Sequence, residues 1–123
     1  MFADPQSITY AGTSYSLVKV NQDQYSSEYR LRSSLTELSL RIRNTSYTDK
    51  KRGVSVDRHN VEIVHTTFPV APSTLSVVKK AYLVFENQQG DDIANCAAWA
   101  LSLCNLLAAS SGAALTKLAN FES

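Results

Sequence analysis

Arg41, Arg43, Lys80 and Tyr82, with the hydroxyls of Ser39 and Thr45, are the residues whose types and spacing could act together. Ser39, Arg41, Arg43 and Thr45 alternate with Leu38, Leu40 and Ile42, and Lys80 and Tyr82 alternate with Ala81 and Leu83. Residues two apart on a strand share a face, so the spacing predicts a sheet surface of cations, hydroxyls and one aromatic ring. Such cations neutralise phosphates, and a tyrosine can stack on an unpaired base for about 1–3 kcal/mol. A solvated sheet face uses the same residue types, so the pattern alone leaves both readings open.

Charge is distributed unevenly. The formal net charge is +1, but ten of the twelve basic residues lie between Arg30 and Lys80, opposed there by Glu37, Asp49, Asp57 and Glu62. The middle of the chain is therefore strongly cationic and the flanks are acidic, which points to an anionic partner.

Other candidates for chemistry are weak. His59 and His65 are about 20 Å apart along a strand and form no metal pair by themselves. No zinc spacing, phosphate-binding loop, nucleophile elbow or metalloprotease motif occurs, so neither an enzyme nor a bound metal or cofactor is expected. Asp91 and Asp92 suit the positive end of a helix dipole. Cys96 and Cys104, about 12 Å apart along a helix, are too distant to bridge each other.

The elements that must position these residues read as strands first and helix last. "SITYA" and "SYSLVKV" form a hairpin about Gly12-Thr13 within residues 1–22, and the main sheet spans 25–87. Its strands are expected at Tyr25–Ser33, Leu35–Thr45, Val54–Phe68 and Ser76–Asn87. "DRHN" interrupts the alternation of the third, which predicts a bulge there, and Pro69 and Pro72 mark a loop. Two helices follow within 91–120, separated by Ser110-Ser111-Gly112. This order gives a single α+β domain over 1–123, with an antiparallel sheet of about five strands plus the N-terminal hairpin and two C-terminal helices.

The first helix is unusual in having no charged residue between Asp92 and Lys117. Trp99, Leu103, Leu106 and Leu107, with Ile93, Cys96 and Leu101, span most of its wheel. Asn95, Ser102 and Asn105 interrupt the run, which argues against a membrane span. An all-round apolar helix is buried on more than one side, and in so short a chain the missing surface is expected from a second subunit. No signal peptide is recognisable at "MFADPQSITY".

The whole pattern resembles the coat proteins of single-stranded RNA bacteriophages, the leviviruses. The likeness lies in "ITYAGTSYSLVKV", in the loop "FPVAPSTLS", and in "KKAYLVFENQQGDDIANCAAWALSLCNLL". The opening "FADPQSITYAGTSYSL" is similar to a branch known largely from environmental genomes. The resemblance implies an intertwined homodimer with a continuous ten-stranded sheet, the helices of each chain crossing the partner's sheet. It also implies an icosahedral shell whose inner sheet face binds genomic RNA, and in some members an RNA hairpin that represses translation. By position, Tyr82 matches the base-stacking tyrosine, and Arg41, Arg43 and Thr45 lie on a strand supplying RNA contacts. Lys80 shares the face of Tyr82, and Lys51, Arg52 and Arg58 fall on the next strand. The loop Phe68–Leu75, with Pro69 and Pro72, matches the one lining the symmetry axes of the shell. Synthesis in the bacterial host cytoplasm and residence in the virion follow from the same likeness. A small dimeric nucleic-acid-binding regulator without a shell would use the same basic surface.

Overall fold

A computed structural model of the chain describes Met1–Ser123. Six strands are followed by one helical element: β1 (Gln6–Tyr10), β2 (Thr13–Gln22), β3 (Ser26–Arg32), β4 (Thr36–Asp49), β5 (Val54–Thr67), β6 (Val77–Gln88) and α1 (Ile93–Ala119). The chain divides into two compact units, Met1–Glu86 and Asn87–Ser123.

In the first unit the strands pair in chain order, β1 to β6; each pairing from β1–β2 through β4–β5 is antiparallel. Strand β2 belongs both to the N-terminal hairpin and to the sheet, so β2–β6 make five sheet strands and β1 adds a sixth. Tyr10 pairs with Thr13, which places the hairpin turn at Ala11-Gly12, and Gly12 supplies the positive φ of +82° that such a turn requires. At the next turn, Asp23 accepts the backbone N–H groups of Tyr25 and Ser26 and the Ser26 hydroxyl. The Ser26 hydroxyl, then the two backbone donors, hold its carboxyl below the ordinary carboxylate value.

The alternation of β4 resolves as its sequence predicts: Leu38, Leu40 and Ile42 are buried and pack with Leu17 and Tyr29 into the core cluster. Tyr29 is fully buried and its phenol donates to the Ala3 carbonyl at 3.1 Å, which ties the N-terminal arm to the same face. An unpaired buried hydroxyl would cost about 1–3 kcal/mol, so this bond makes the tyrosine tolerable in the core.

The bulge expected at Asp57–Asn60 does not exist. Strands β4 and β5 keep one register from Thr36↔Thr67 to Asp49↔Val54. Asp57 and His59 share the core-side face, but near the hairpin tip, where Ser46 and Asn44 answer them. Ser46 Oγ donates to Asp57 Oδ1 at 2.7 Å, and His59 Nδ1 lies 2.7 Å from Asn44 Oδ1. Cross-strand polar pairs thus hold the register where apolar alternation stops. The irregularity lies instead in β2, whose register against β3 shifts between Lys19 and Asn21. Strand β4 also outruns its expected end at Thr45, with β3 pairing it only as far as Ser26↔Arg43.

In the second unit, Asp92 caps α1, its carboxylate accepting the N–H of Ala94 at 3.0 Å. The two closing helices form one element with a break: Ala109, Ser110, Ser111 and Gly112 all have non-helical backbone. Ser110, Ser111 and Gly112 have left-handed backbone, which glycine adopts freely and serine only at a cost. No residue of α1 is buried. By length and composition alone α1 could cross a membrane. Its uninterrupted part, Ile93–Ala108, is however only about 24 Å long, short of the roughly 30 Å of a bilayer core. Cys96 and Cys104 are free and half-buried. Burial, then the carboxylate of Asp91, pushes the Cys96 thiol above its ordinary value.

Candidate nucleic-acid interface

The sheet face opposite the core cluster carries the charge. Cross-strand register places Glu28 beside Arg41 and Arg30 beside Ser39. It sets Arg41 opposite Glu62, Arg43 opposite Asn60, and Thr45 opposite Arg58. Pleating puts all of these on one surface; Lys80 lines it beside Glu28 and Arg41, and Tyr82, two residues further along β6, shares its side.

Four ion pairs cross this surface. Arg30 contacts Glu28 at 3.1 Å and Glu37 at 3.2 Å. Arg41 contacts Glu28 at 3.6 Å, and Arg43 reaches diagonally to Glu62 at 3.4 Å. Glu62 is only 9% exposed, so it needs the guanidinium beside it. The arginine side chains remain about half exposed. Glu28, Arg30, Glu37, Arg41, Glu62 and Lys80 line one shallow depression of about 300 Å³, completed by Ser39, Val64, Thr66 and Val78.

Tyr82 is 67% exposed, so its ring is open to a stacking partner. Arg58, Lys50 and Lys51 are exposed and lie in none of the ion pairs. Near the hairpin tip, the Tyr47 hydroxyl donates to Glu86 at 2.9 Å. That bond, more than burial, pushes the phenol above its ordinary pKa.

The structure thus brings Arg41, Arg43, Thr45, Arg58, Lys80 and Tyr82 to one face. Lys51 and Arg52 are elsewhere: they sit in the turn between β4 and β5, not on a strand, where Asp49 Oδ1 accepts both of their backbone N–H groups. Gly53 ends that turn at φ +66°. Phe68, Pro69 and Pro72 fall in the loop between β5 and β6, as their sequence predicts. Arg32 lies over the Phe68 ring, 5.2 Å from its centroid. Of the α1 candidates, Trp99 is 80% exposed, Leu103 and Leu106 are exposed, and Leu107 is half-buried.

Sequence reasoning missed the acidic half of this face. Glu37 and Glu62 entered only as entries against a net charge, and Glu28 lay outside the basic stretch. Strand parity held the signal, since Glu28 and Arg30 are two apart, as are Glu37 and Ser39. What it could not supply was the register that sets Glu28 against Arg41.

Comparison with known proteins bears on this arrangement directly. The family model described as "Phage phiCb5, coat protein" matches residues 3–88. Among solved structures, the coat protein of bacteriophage EMS014 superposes with a TM-score of 0.67 at 15% identity, covering 87% of this chain and 74% of that one. A virus-like particle of bacteriophage AVE019 gives 0.58 at 8% identity, covering 89% and 90%. At these identities the structural matches speak for the fold. No match is found among curated proteins. A family match across the whole sheet, and the same fold in two phage shell proteins, lead to one conclusion: this chain belongs to the phage phiCb5 coat protein family.

Proposed function

We propose that this coat protein dimerises, assembles with further copies into an icosahedral shell, and packages single-stranded RNA against the charged sheet face. The observation that carries the RNA reading is the convergence of Lys80, Tyr82, Arg58 and the arginines of β3 and β4 on one side of the sheet. The cations of this face outside the ion pairs attract a phosphate backbone whatever its sequence, and an exposed tyrosine adds stacking on unpaired bases. Recognition of a particular RNA hairpin, with repression of translation, would draw on the same face. The apolar helix carries the assembly reading: exposed Trp99, Leu103 and Leu106 form a surface of the kind buried between subunits. The edge strand β6 is a second surface open to a partner, and pairing it between copies removes an aggregation-prone edge. The virion is then the protein's final location.

Expression of the chain alone, followed by electron microscopy and RNA extraction, tests this. Closed particles of uniform diameter that contain host RNA are expected. Soluble dimers of twice the 13.5 kDa chain mass, with no particles under assembly-permitting conditions, would instead favour a regulator that binds nucleic acid without a shell.

A further inference from the structure

The charged face is zoned. Arg30, Arg41 and Arg43 are matched with Glu28, Glu37 and Glu62 at 3.1–3.6 Å. Lys80 and Arg58 on the same face, and Lys50 and Lys51 in the turn beyond its edge, take part in none of these ion pairs. Within the paired zone three cations meet three carboxylates, so its net charge is near zero despite its arginine content.

We infer that Glu28, Glu37 and Glu62 are affinity-limiting residues of the RNA surface, which restrain sequence-independent binding by keeping three arginines engaged. This rests on the RNA reading above and specifies how the same face is tuned. A phosphate approaching Arg41 must displace or adjoin the Glu28 carboxylate, which repels it. Counterion release, the main source of non-specific affinity, comes from cations condensed on the nucleic acid, which are freed when a protein cation neutralises a phosphate. An arginine already neutralised by a neighbouring carboxylate contributes little to it. Backbone attraction is therefore left to the unpaired cations, while the paired arginines stay oriented with their exposed edges available. Glu28 is the central member, since it touches Arg30 and Arg41 together, and Glu62 is the most deeply set.

The salt dependence of binding reads this out, and a purely structural role for the ion pairs would not alter it. On single strands each neutralised phosphate contributes a slope of about −0.7 to the logarithm of affinity against the logarithm of salt. Binding of an oligouridine strand to the full chain is measured across a salt series for the parent, Glu28→Gln, Glu62→Gln and Glu122→Gln. The last adds the same charge in the C-terminal tail. Glu28→Gln and Glu62→Gln each release one arginine. Each should bind about fivefold tighter near 0.1 M salt, with a slope steeper by about 0.7, while Glu122→Gln matches the parent. Two variants guard against loss of fold in one, and circular dichroism confirms each. Unchanged slopes in both face variants overturn the inference, as does equal tightening by Glu122→Gln, which would make net charge the cause. Failure of the parent and both face variants to bind at low salt overturns the RNA reading itself.

Discussion

Arg43 and Lys80 look alike in the sequence, as cations on the polar side of a strand, but their removal has different consequences. Arg43→Ala would strand Glu62, which is 9% exposed and has Arg43 as its ion-pair partner. Breaking such a pair destabilises the fold far more than losing an exposed charge does. A loss of RNA binding in that variant would therefore be ambiguous. Lys80→Ala with Tyr82→Ala removes a cation outside the ion pairs and an exposed ring, and leaves the four ion pairs whole. RNA affinity should fall about tenfold or more, given stacking worth about 1–3 kcal/mol, while the thermal midpoint stays within a degree or two. Filter binding and a thermal melt check both, and unchanged affinity would remove Tyr82 from the interface. The face assignment of these residues was legible because period-2 alternation survives in β4 and β6. Their ionic partners were not, because register is a property of two strands and neither one encodes it alone.

Strands and helix differ in how far the sequence reveals them. The core face of β4 follows from Leu38, Leu40 and Ile42, and the α1 break follows from Ser110-Ser111-Gly112. The continuity of β5 did not follow, since Asp57 and His59 look like interruptions until Ser46 and Asn44 are seen opposite them. The helix surface shows the same dependence on context. Ser102 donates to the Ala98 carbonyl at 2.9 Å, so one of the few polar groups on α1 is satisfied by the helix itself. The remainder offers Trp99, Leu103 and Leu106 as exposed apolar side chains. Leu103→Asp places a charge on that surface, where pairing with another copy would desolvate it. Size-exclusion chromatography should show monomer or insoluble protein, with no particles. A normal dimer from this variant would place the interface elsewhere.

At the scale of the whole molecule, a small sheet core and a helix without buried residues belong to one chain. The core cluster centres on five buried residues, Leu17, Tyr29, Leu38, Leu40 and Ile42, and a core this small leaves a domain marginal by itself. Family membership and fold came from patterns spread over the whole length, which is why they were readable without any catalytic signature. Covering of this helix by a second copy, as proposed, would have a thermodynamic consequence. Stabilisation drawn from a second copy would obey mass action, so the folded state would grow more stable as the protein accumulates, by about 1.4 kcal/mol per tenfold rise in concentration. Melting measured over a hundredfold concentration range should show a midpoint that climbs steadily, and a constant midpoint would place the stabilisation within the single chain. Early in synthesis, when copies are scarce, the chain would be at its most fragile, and abundance itself would act as the signal that commits it to its final form.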